Sequence, residues 1–398
     1  MVGKTKAPPP LLARWHKQAK AAAKAAARSN NTNSKKPEPK KTQDEQDQED
    51  QKQKISEHDR KHQQRILDVF RRTFDHVLSS PSLTTTLQSV KQALFDRDFA
   101  TAFGDPEHLA VYAARWSPTR ALCYASVLNG IWEHLEPLSY SSSPEENGDE
   151  GSITSTDSSH QLKVLSIGGG AAELVMLGAF LTQHPSTNSD AQSGTITLLD
   201  SAPWATVVSQ LTTALTTPPP LSKYASAAAK LSNAAMVPPS SLTSTFLQHD
   251  ALTLPQERLT SLVGTTPLLI TLFFTLNELF TASGIGKTSA FLLNLTSSLP
   301  FGSLLLVVDS PGSYSETSVG KEAKRYPMQW LLDRIMLGTQ REPVNGRRWA
   351  KLETQESVWF RLAETLEYPI PLENMRYQMH LYRAEDASLV EKDEEEED

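Results

Sequence analysis

The sequence predicts an α/β fold in which a mostly parallel seven-stranded sheet is covered by helices and preceded by a helical module. From residue 162 on, apolar segments of strand length alternate with helical ones, and the first strand, Lys163–Ile167, runs directly into three glycines and a helix. Repeated strand–helix units are typical of parallel sheets that are buried on both faces. Apolar residues at helical spacing between residues 64 and 137 predict the module.

Each predicted element has its own sequence signal. Short apolar and β-branched runs bounded by Gly, Pro or polar residues predict strands, and apolar residues three and four positions apart predict helices. In the module, Ser117 is a predicted N-cap and Pro118 takes the first helical position. The predicted strands cover residues 163–167, 195–199, 245–248, 268–273, 304–308, 357–361 and 375–383. Predicted helices outside the module cover residues 171–183, 289–298 and 328–337, with another from Pro203.

Composition divides the 398 residues into an ordered body and several polar segments. Polar stretches with few aromatic residues and no apolar periodicity cannot bury enough surface to fold, so we expect them to be disordered. The predicted segments are a disordered basic and then acidic stretch (1–60), the helical module (64–137), a disordered linker (138–161), the sheet domain (162–384) with a low-complexity insertion (216–244), and an acidic tail (385–398).

The number of cysteines and the length of the apolar runs indicate the cellular compartment of the protein. The single cysteine, Cys123, excludes a disulfide framework and a Cys-rich zinc site, and it fits a reducing environment. The longest apolar runs fall far short of the ~20 residues that a membrane span needs, and the start of the chain has no apolar signal-peptide core. We therefore expect a soluble intracellular protein that neither contacts a membrane nor holds a metal.

Charge is distributed unevenly along the chain. Residues 1–41 carry 11 Lys and Arg and one acid, Glu38, which gives them a net charge of +10, whereas the whole chain has −7. A basic arm on an acidic body indicates that the arm meets a polyanion such as nucleic acid. A targeting signal or a solvated tail explains the same arm equally well.

The glycine turn after the first strand is the strongest local signal. Gly168, Gly169 and Gly170 allow a tight backbone turn and expose N–H groups at the start of a helix, where a ligand can approach closely. The turn does not match the phosphate-binding GxGxxG pattern, because Glu173 stands where the third glycine belongs. A carboxylate there would repel a pyrophosphate and would favour a cationic or hydroxyl-rich ligand.

Two acids follow the next strands. Asp200 ends the second strand, where an acid can accept from both hydroxyls of a ribose. Asp250, followed by Ala251, ends the third, where a carboxylate can accept from an adenine amine. Together with the glycine turn, these acids predict an S-adenosylmethionine pocket and thus a methyltransferase; the alternatives are an NAD enzyme or a degenerate nucleotide-fold scaffold. Singly, an acid after a strand is more often a helix cap.

The end of the fourth strand predicts the acceptor site. Asn277 and Glu278 are the polar residues nearest to the expected methyl position, although capping the following helix is an equally good explanation. Cys123 lies in the helical module, so the cysteine nucleophile used for carbon-5 methylation of pyrimidines is absent from this end. We therefore expect direct in-line transfer to a nitrogen or an oxygen.

Several segments resemble a fungal methyltransferase family. The matching segments are 94–99, 112–122, the glycine turn 166–173, 274–280, 308–314 and 326–330, with the final strand. The family includes the enzyme that methylates N3 of a uracil in 25S, large-subunit, ribosomal RNA. The resemblance implies a class I, Rossmann-like methyltransferase fold, S-adenosyl-L-methionine as donor, a uridine in 25S rRNA as acceptor, the pre-60S particle as partner, and a nuclear and nucleolar location.

Further residues are candidates for binding donor and RNA. Arg115 or Arg120 could reach the carboxylate of the donor's methionine from the helical module; as an alternative, both arginines are solvated. Basic and aromatic residues after the fifth strand could bind RNA phosphates and bases, or form an ordinary solvated face. The predicted substrate-binding residues are Ser310, Tyr314, Arg325, Trp330, Arg347 and Arg348.

Other functions and locations remain open on the sequence alone. A methyltransferase acting on a protein or a small molecule would have the same donor pocket, and a non-catalytic ribosome-assembly factor could retain only the fold. The basic, Ala-rich start also resembles a mitochondrial presequence, although its triple proline and lysine excess favour the nucleus. We expect a monomer.

Overall fold

A seven-stranded sheet is the central layer of the fold. The structure, a computed structural model, describes residues 56–139, 161–184, 192–311, 314–319 and 322–389, so most of the predicted N-terminal and linker disorder and most of the acidic tail lie outside the described residues. The strands are β1 (Gln161–Ile167), β2 (Ser193–Asp200), β3 (Leu242–Gln248), β4 (Leu269–Phe273), β5 (Leu304–Asp309), β6 (Tyr314–Val319), β7 (Glu322–Pro327), β8 (Arg347–Phe360) and β9 (Met375–Asp386).

The strand order of the main sheet is β3-β2-β1-β4-β5-β9-β8, and β6 pairs with β7 in a separate hairpin. Strands β1 to β5 are parallel, whereas β9 is antiparallel to β5 and β8 is antiparallel to β9. The prediction of a mostly parallel seven-stranded sheet is therefore confirmed. All five parallel strands end at one edge of the sheet. Successive strands are added on one side of β1 up to β3 and on its other side from β4 onward, so the topological switch point lies between β1 and β4. Open α/β sheets bind ligands at this point.

The helices pack on this sheet and before it. Those of the helical module are α1 (Glu57–Thr73), α2 (Asp75–Leu78), α3 (Leu83–Phe95), α4 (Phe99–Phe103), α5 (Pro106–Arg115), α6 (Ser117–Gly130) and α7 (Trp132–Ser139). The later helices are α8 (Ala171–Gln183), α9 (Ala205–Thr216), α10 (Ala227–Leu231), α11 (Gln256–Val263), α12 (Leu276–Ser298) and α13 (Met328–Met336), with 3₁₀ turns at Ala251–Thr253 and Leu337–Gln340. Side-chain caps fix several starts: Asp105 Oδ1 accepts the Glu107 N–H at 2.7 Å at the start of α5.

The helical module and the sheet share one hydrophobic core. Phe70 in α1 and Leu128 in α6 are fully buried in the same cluster as Leu174 and Phe180 of α8, which covers one face of the sheet. Burial of these large side chains contributes ~1.5–3 kcal/mol each relative to exposure. The module is therefore a fixed wall of the sheet domain, which places it beside the edge where the parallel strands end.

Several element boundaries differ from those predicted. Helix α1 begins at Glu57, inside the predicted disordered segment 1–60, because the Ser56 hydroxyl caps it by accepting the Asp59 N–H at 3.0 Å. Strand β3 begins inside the predicted insertion 216–244, and β9 extends two residues into the predicted acidic tail. Strand β8 is far longer than the predicted segment 357–361, because it pairs with β9 over its length through two register shifts.

The segment after β4 is helical where the sequence predicts a helix only from residue 289. Helix α12 runs from Leu276 to Ser298 and accommodates a kink at Gly284, whose φ of 83° and ψ of 164° are not helical. The β6–β7 hairpin was not predicted either, since polar residues without an apolar alternation give it no sequence signal. None of the described helices combines the length and the apolar stretch that a bilayer crossing requires.

Candidate active site

A cavity of 540 Å³ lies at the edge where the parallel strands end. Its walls include Gly168 after β1, Asp200 at the end of β2, Phe274 after β4 and Asp309 at the end of β5. The helical module closes one side through α3, α4, α5 and α6. The volume falls within the range of ~300–1,000 Å³ that is typical of small-molecule sites.

The glycine turn forms one end of the cavity. Gly168 has a φ of +71°, a conformation that favours glycine, and any Cβ there would overlap the Thr275 side chain. A Cβ on Gly169 would overlap Ser166, and one on Gly170 would lie 2.7 Å from the indole of Trp204. Gly168 and Gly170 line the cavity, whereas Gly169 is not among its lining residues. The packing of the protein itself thus requires all three glycines, and two of them present backbone to a ligand.

Glu173 closes the start of α8. Its Oε2 accepts the Gly170 N–H at 2.7 Å, which is the return half of a capping box, and the residue is 6% exposed. Burial raises the pKa of this carboxyl. Because Glu173 also lines the cavity, it fixes the glycine turn and contributes negative potential at the same place.

Asp200 lies in the cavity wall beside the glycine turn. Its Oδ1 accepts the Ala202 N–H at 2.7 Å, and burial raises the pKa of the carboxyl to about 7. A buried carboxylate with few donors around it is stabilised by ligand hydroxyls that donate to it. This environment suits the predicted role of accepting from a ribose.

Asp250 and Ala251 lie farther along the same wall. Asp250 Oδ1 accepts the Leu252 N–H at 2.9 Å and so caps the 3₁₀ turn that begins at Ala251. Both residues line the cavity. A carboxylate has two oxygens and several lone pairs, so the cap and the predicted contact with a base amine are compatible.

The structure separates the two arginines predicted to reach the donor. Arg120 is half-buried in the main cavity, with its guanidinium 5.1 Å from the centroid of the Phe274 ring, and it donates a short hydrogen bond to the Tyr112 hydroxyl. Arg115 does not line this cavity; it pairs with Glu373 at 2.5 Å. The prediction of a donor contact thus fits the position of Arg120 and not that of Arg115.

An aromatic wall that the sequence analysis did not assign covers the donor end. Trp204 is 5% exposed, and its ring lies 5.9 Å from Tyr112 and 6.2 Å from Phe103 between centroids. Tyr112 in turn lies 5.2 Å from Trp116. All four residues line the cavity. The available signal was weak: Trp204 follows Asp200 by four residues, Phe103 and Tyr112 lie on two different helices, and Trp116 lies between α5 and α6.

The opposite end of the cavity contains Asn277, Glu278, Asp309 and Ser310. Asn277 and Glu278 lie in the first turn of α12 but do not cap it; Asp309 instead accepts the Asn277 N–H at 3.0 Å and the Ser310 N–H at 2.8 Å. Burial raises the pKa of Asp309 to about 6. The capping explanation for Asn277 and Glu278 is therefore wrong, and Asp309, which the sequence analysis did not single out, supplies the cap.

Two buried acceptors at this end have no hydrogen-bond partner among the described residues: Asn277 Oδ1 and Glu278 Oε2. Glu278 Oε2 lies 3.6 Å from Nη1 of Arg97, which adopts a positive φ of 57° at the end of the module's third helix. Buried polar atoms normally have partners, so unpaired acceptors in a cavity wall indicate a ligand with N–H or O–H donors.

The predicted RNA-binding residues after β5 are dispersed. Ser310 lines the cavity, whereas the side chains of Tyr314 and Arg325 lie outside the described part of the chain. Trp330 is half-buried and stacks on Tyr326 at 5.5 Å between centroids. Trp330 is not among the residues that line the cavity.

Arg347 and Arg348 are misplaced for a contact with a base in the cavity. They pair with Asp386 and Glu385 at the end of β9, whose antiparallel partner β5 begins there with Leu304. This is the edge where the parallel strands start, opposite the cavity. Arg347 Nε donates to the Leu299 carbonyl, and Arg348 forms an ion pair of 3.0 Å with Glu385, so both serve packing at the far edge.

The residues present fit S-adenosyl-L-methionine. The close-packed glycine turn, the carboxyls of Asp200 and Asp250, and the aromatic wall match the backbone, hydroxyl, amine and ring groups of an adenosyl ligand. Arg120 supplies a cation for a carboxylate. No group of three or more His, Cys, Asp or Glu in the described ranges could hold a metal ion.

Comparison with known proteins identifies the family. The family model for SAM-dependent methyltransferases matches residues 70–383. The chain is 32% identical over 343 residues to the 25S rRNA (uridine(2843)-N(3))-methyltransferase of Saccharomyces cerevisiae, covering 80% of this chain and 85% of that protein.

Solved structures resemble part of the chain. A 16S rRNA (adenine(1408)-N(1))-methyltransferase from Catenulisporales acidiphilia aligns with 56% of this chain and 85% of its own, at 12% identity and a TM-score of 0.31. A SAM-dependent methyltransferase from Methanosarcina mazei aligns with 56% and 91%, at 8% identity and a TM-score of 0.30. The family model, by contrast, covers most of the module, every residue that lines the cavity and all but the last three residues of the sheet. The chain therefore belongs to the SAM-dependent methyltransferase family, with a class I, Rossmann-like fold and S-adenosyl-L-methionine as its methyl donor.

Proposed function

We propose that this protein methylates N3 of a uridine in large-subunit (25S) ribosomal RNA. The observation that carries the proposal is the 32% identity to the yeast uridine-N3 methyltransferase over 85% of that enzyme. The aligned family region includes every strand that contributes to the cavity, so the similarity is not confined to the donor-binding half.

The residues at the acceptor end of the cavity support this reaction. N3 of uracil carries a proton and becomes nucleophilic when that proton leaves, so a base or donors to the ring oxygens must assist. Glu278 Oε2 is a buried acceptor without a hydrogen-bond partner, and it can take the N3 proton. Arg97 Nη1 lies 3.6 Å from this oxygen.

Asn277 complements Glu278. Its Oδ1 is also buried and unpaired, so its amide can turn to accept from a ring N–H or to donate to a ring carbonyl. The Asp309 bonds to the N–H groups of Asn277 and Ser310 hold both residues at the end of the sheet. Such fixed positions favour in-line methyl transfer, in which orientation of the reactants alone can lower the activation barrier by ~7–11 kcal/mol.

Residues at the other end bind and orient the donor. S-adenosyl-L-methionine supplies an electrophilic methyl group when bound. Asp200, Asp250 and Arg120 would hold different parts of the donor, and the aromatic wall of Phe103, Tyr112, Trp116 and Trp204 would exclude water from it. Exclusion of water strengthens the electrostatic contacts within the site.

We propose the pre-60S particle as the partner and the nucleolus as the location. Support comes from the proposed substrate and from the net charge of +10 in residues 1–41, which suits both nuclear import and RNA. A fluorescent fusion of the full chain should concentrate in the nucleolus, and one that lacks residues 1–41 should not. Mitochondrial fluorescence would contradict the proposal.

The reaction is tested with RNA that lacks the modification. The purified protein is incubated with labelled S-adenosyl-L-methionine and 25S rRNA from a yeast strain without its uridine-N3 methyltransferase, and nucleosides are analysed by mass spectrometry. We expect one 3-methyluridine per rRNA with the wild type and none with Glu278→Gln. Label in protein or in a small molecule would favour those acceptors, and donor binding without any transfer would favour a non-catalytic assembly factor.

A further inference from the structure

A second cavity of 180 Å³ adjoins the main one. The two share Trp116, Arg120 and Phe274 as a common wall. This common wall combines Trp116 and Arg120, which we assign to donor binding, with Phe274, which directly follows β4 and leads into the acceptor residues Asn277 and Glu278. The remaining lining of the second cavity comes from the module and from the segment that enters β9: Arg115, Thr119, Glu373, Asn374, Met375 and Arg376.

The lining is strongly cationic. Arg115, Arg120 and Arg376 face a single acid, Glu373. The Glu373 carboxylate lies 2.5 Å from Arg115 Nη2, and the Glu373 side chain is 73% exposed, whereas that of Arg115 is 14% exposed. The mostly buried Arg115 thus already binds one oxyanion, the Glu373 carboxylate, which approaches it from the solvent side. Arginine recognises carboxylate and phosphate by the same planar geometry, so a phosphate can replace this carboxylate.

Thr119 gives an independent indication of a ligand. The residue is 4% exposed and lines the second cavity, yet its Oγ1 has no hydrogen-bond partner among the described residues. A buried hydroxyl without a partner costs ~1–3 kcal/mol, so its presence in the cavity wall needs an explanation. An anionic oxygen in the cavity would accept from it.

Arg376 is oriented toward this site from β9. Its Nε donates to Ser357 Oγ at 2.8 Å, which fixes the guanidinium plane with only one of its five N–H donors. The same group lies 5.7 Å from the ring centroid of Trp359 on β8, which is 54% exposed. Exposed aromatic rings beside arginines stack unpaired RNA bases.

We propose that the second cavity binds a backbone phosphate of the RNA strand next to the target nucleotide, in place of Glu373. This inference rests on the proposed function, because it assumes an RNA whose target base enters the acceptor end. A nucleotide with its base there has its own phosphate within one nucleotide length, and the second cavity, which holds Arg115, Arg376 and Thr119, adjoins the main one through a shared wall. The exposed side at Glu373 lets a polymer enter.

The experiment measures RNA affinity against salt for the full chain. A short RNA containing the target uridine is titrated by fluorescence anisotropy at several salt concentrations, with wild type, Arg376→Gln, Thr119→Val and the control Arg258→Gln. Arg258 is exposed on α11 and lines neither cavity. Donor affinity is measured by calorimetry, and folding is measured by thermal denaturation.

We expect Arg376→Gln to weaken RNA binding and to reduce the magnitude of the log Kd against log salt slope by about 0.7, the value for one phosphate contact with a single strand. Thr119→Val should weaken RNA binding without lowering thermal stability, because it removes an unpaired polar atom. Arg258→Gln should match the wild type, and donor affinity should not change in any variant. An RNA with one uncharged methylphosphonate linkage beside the target should bind the wild type more weakly than normal RNA does, and this difference should be smaller for Arg376→Gln, which retains Arg115 and Thr119.

Three results would overturn the inference. If the wild type methylates the RNA but Arg376→Gln has the wild-type salt slope, the phosphate site is wrong and the proposed function stands. If Arg376→Gln weakens donor binding and leaves the slope unchanged, the cavity binds the donor's carboxylate instead. If the wild type neither binds nor methylates the RNA, the proposed function itself fails.

Discussion

Replacement of Arg120 tests which residue binds the charged end of the donor. Arg120 is half-buried in the main cavity beside Phe274, and Arg115, five residues earlier, pairs with Glu373 outside it. Hydrogen bonds to charged groups contribute ~1.5–3 kcal/mol each. Because 1.4 kcal/mol corresponds to a factor of ten, Arg120→Ala should weaken donor binding roughly 10- to 150-fold. Arg115→Ala should leave donor affinity close to that of the wild type, because Arg115 does not line the main cavity.

The assay separates this contact from general damage to the site. Calorimetry compares S-adenosylhomocysteine with 5′-methylthioadenosine, which lacks the amino-acid part that carries the carboxylate. If Arg120 binds the carboxylate, Arg120→Ala should lose affinity for the first ligand and bind the second as the wild type does. An equal loss for both ligands would indicate that Arg120 acts through Tyr112 and the aromatic wall, to which it donates a hydrogen bond. Unchanged affinity for both would refute the reasoning altogether.

Three further predictions concern the ends of the strands. Burial raises the pKa of Asp200 to about 7, so donor affinity should rise about tenfold from pH 6 to pH 8 with proton release in calorimetry, and Asp200→Asn should abolish this dependence. Gly168→Ala should lower the free energy of unfolding in urea by at least ~1–2 kcal/mol, because its φ is +71° and the new methyl would overlap Thr275, whereas Gly286→Ala, at an open position, should be neutral or stabilising. Burial raises the pKa of Asp309 to about 6 in the folded protein, above its unfolded value of 3.8. Its contribution to the free energy of unfolding should therefore fall by roughly 3 kcal/mol as pH rises from 4 to 6 and then stay constant. A difference in the free energy of unfolding between wild type and Asp309→Asn that does not vary with pH would contradict this.

Strand-end logic predicted much of the donor pocket. Gly168, Asp200 and Asp250 could be found because each directly follows a short apolar strand, and parallel strands bring such residues to one edge. Asp309 also directly follows a short apolar strand, so the same logic applies to it, but its hydrogen bond to α12 has no signal in the sequence. Arg97 and Trp204 could not be found in this way, because their roles depend on which helices of the module cover the edge.

The RNA-binding residues were predicted less well, for a topological reason. Arg347 and Arg348 lie close in sequence to Trp330, and the sequence does not reveal that β9 runs antiparallel to β5. That reversal takes the start of β8 to the far edge and brings the other end of the β8–β9 pair, with Trp359 and Arg376, to the cavity side. Linear clustering of charge therefore indicated the right kind of residue at the wrong end of the strands.

The two ends of the cavity differ in how they are built, and this difference separates donor binding from substrate choice. The donor end is walled by a helical module that shares its core with the sheet, so it cannot move without exposing large apolar side chains. The acceptor end is bounded by Ser310, and the connection between β8 and β9, which carries Glu373, lines the adjoining second cavity. Gln378 Nε2 donates to the Ser310 carbonyl at 2.8 Å and its Oε1 is within 3.1 Å of His380, so side chains of β9 hold this end in place. Changes on β9 and its connection can thus alter which RNA is bound while the donor pocket remains intact.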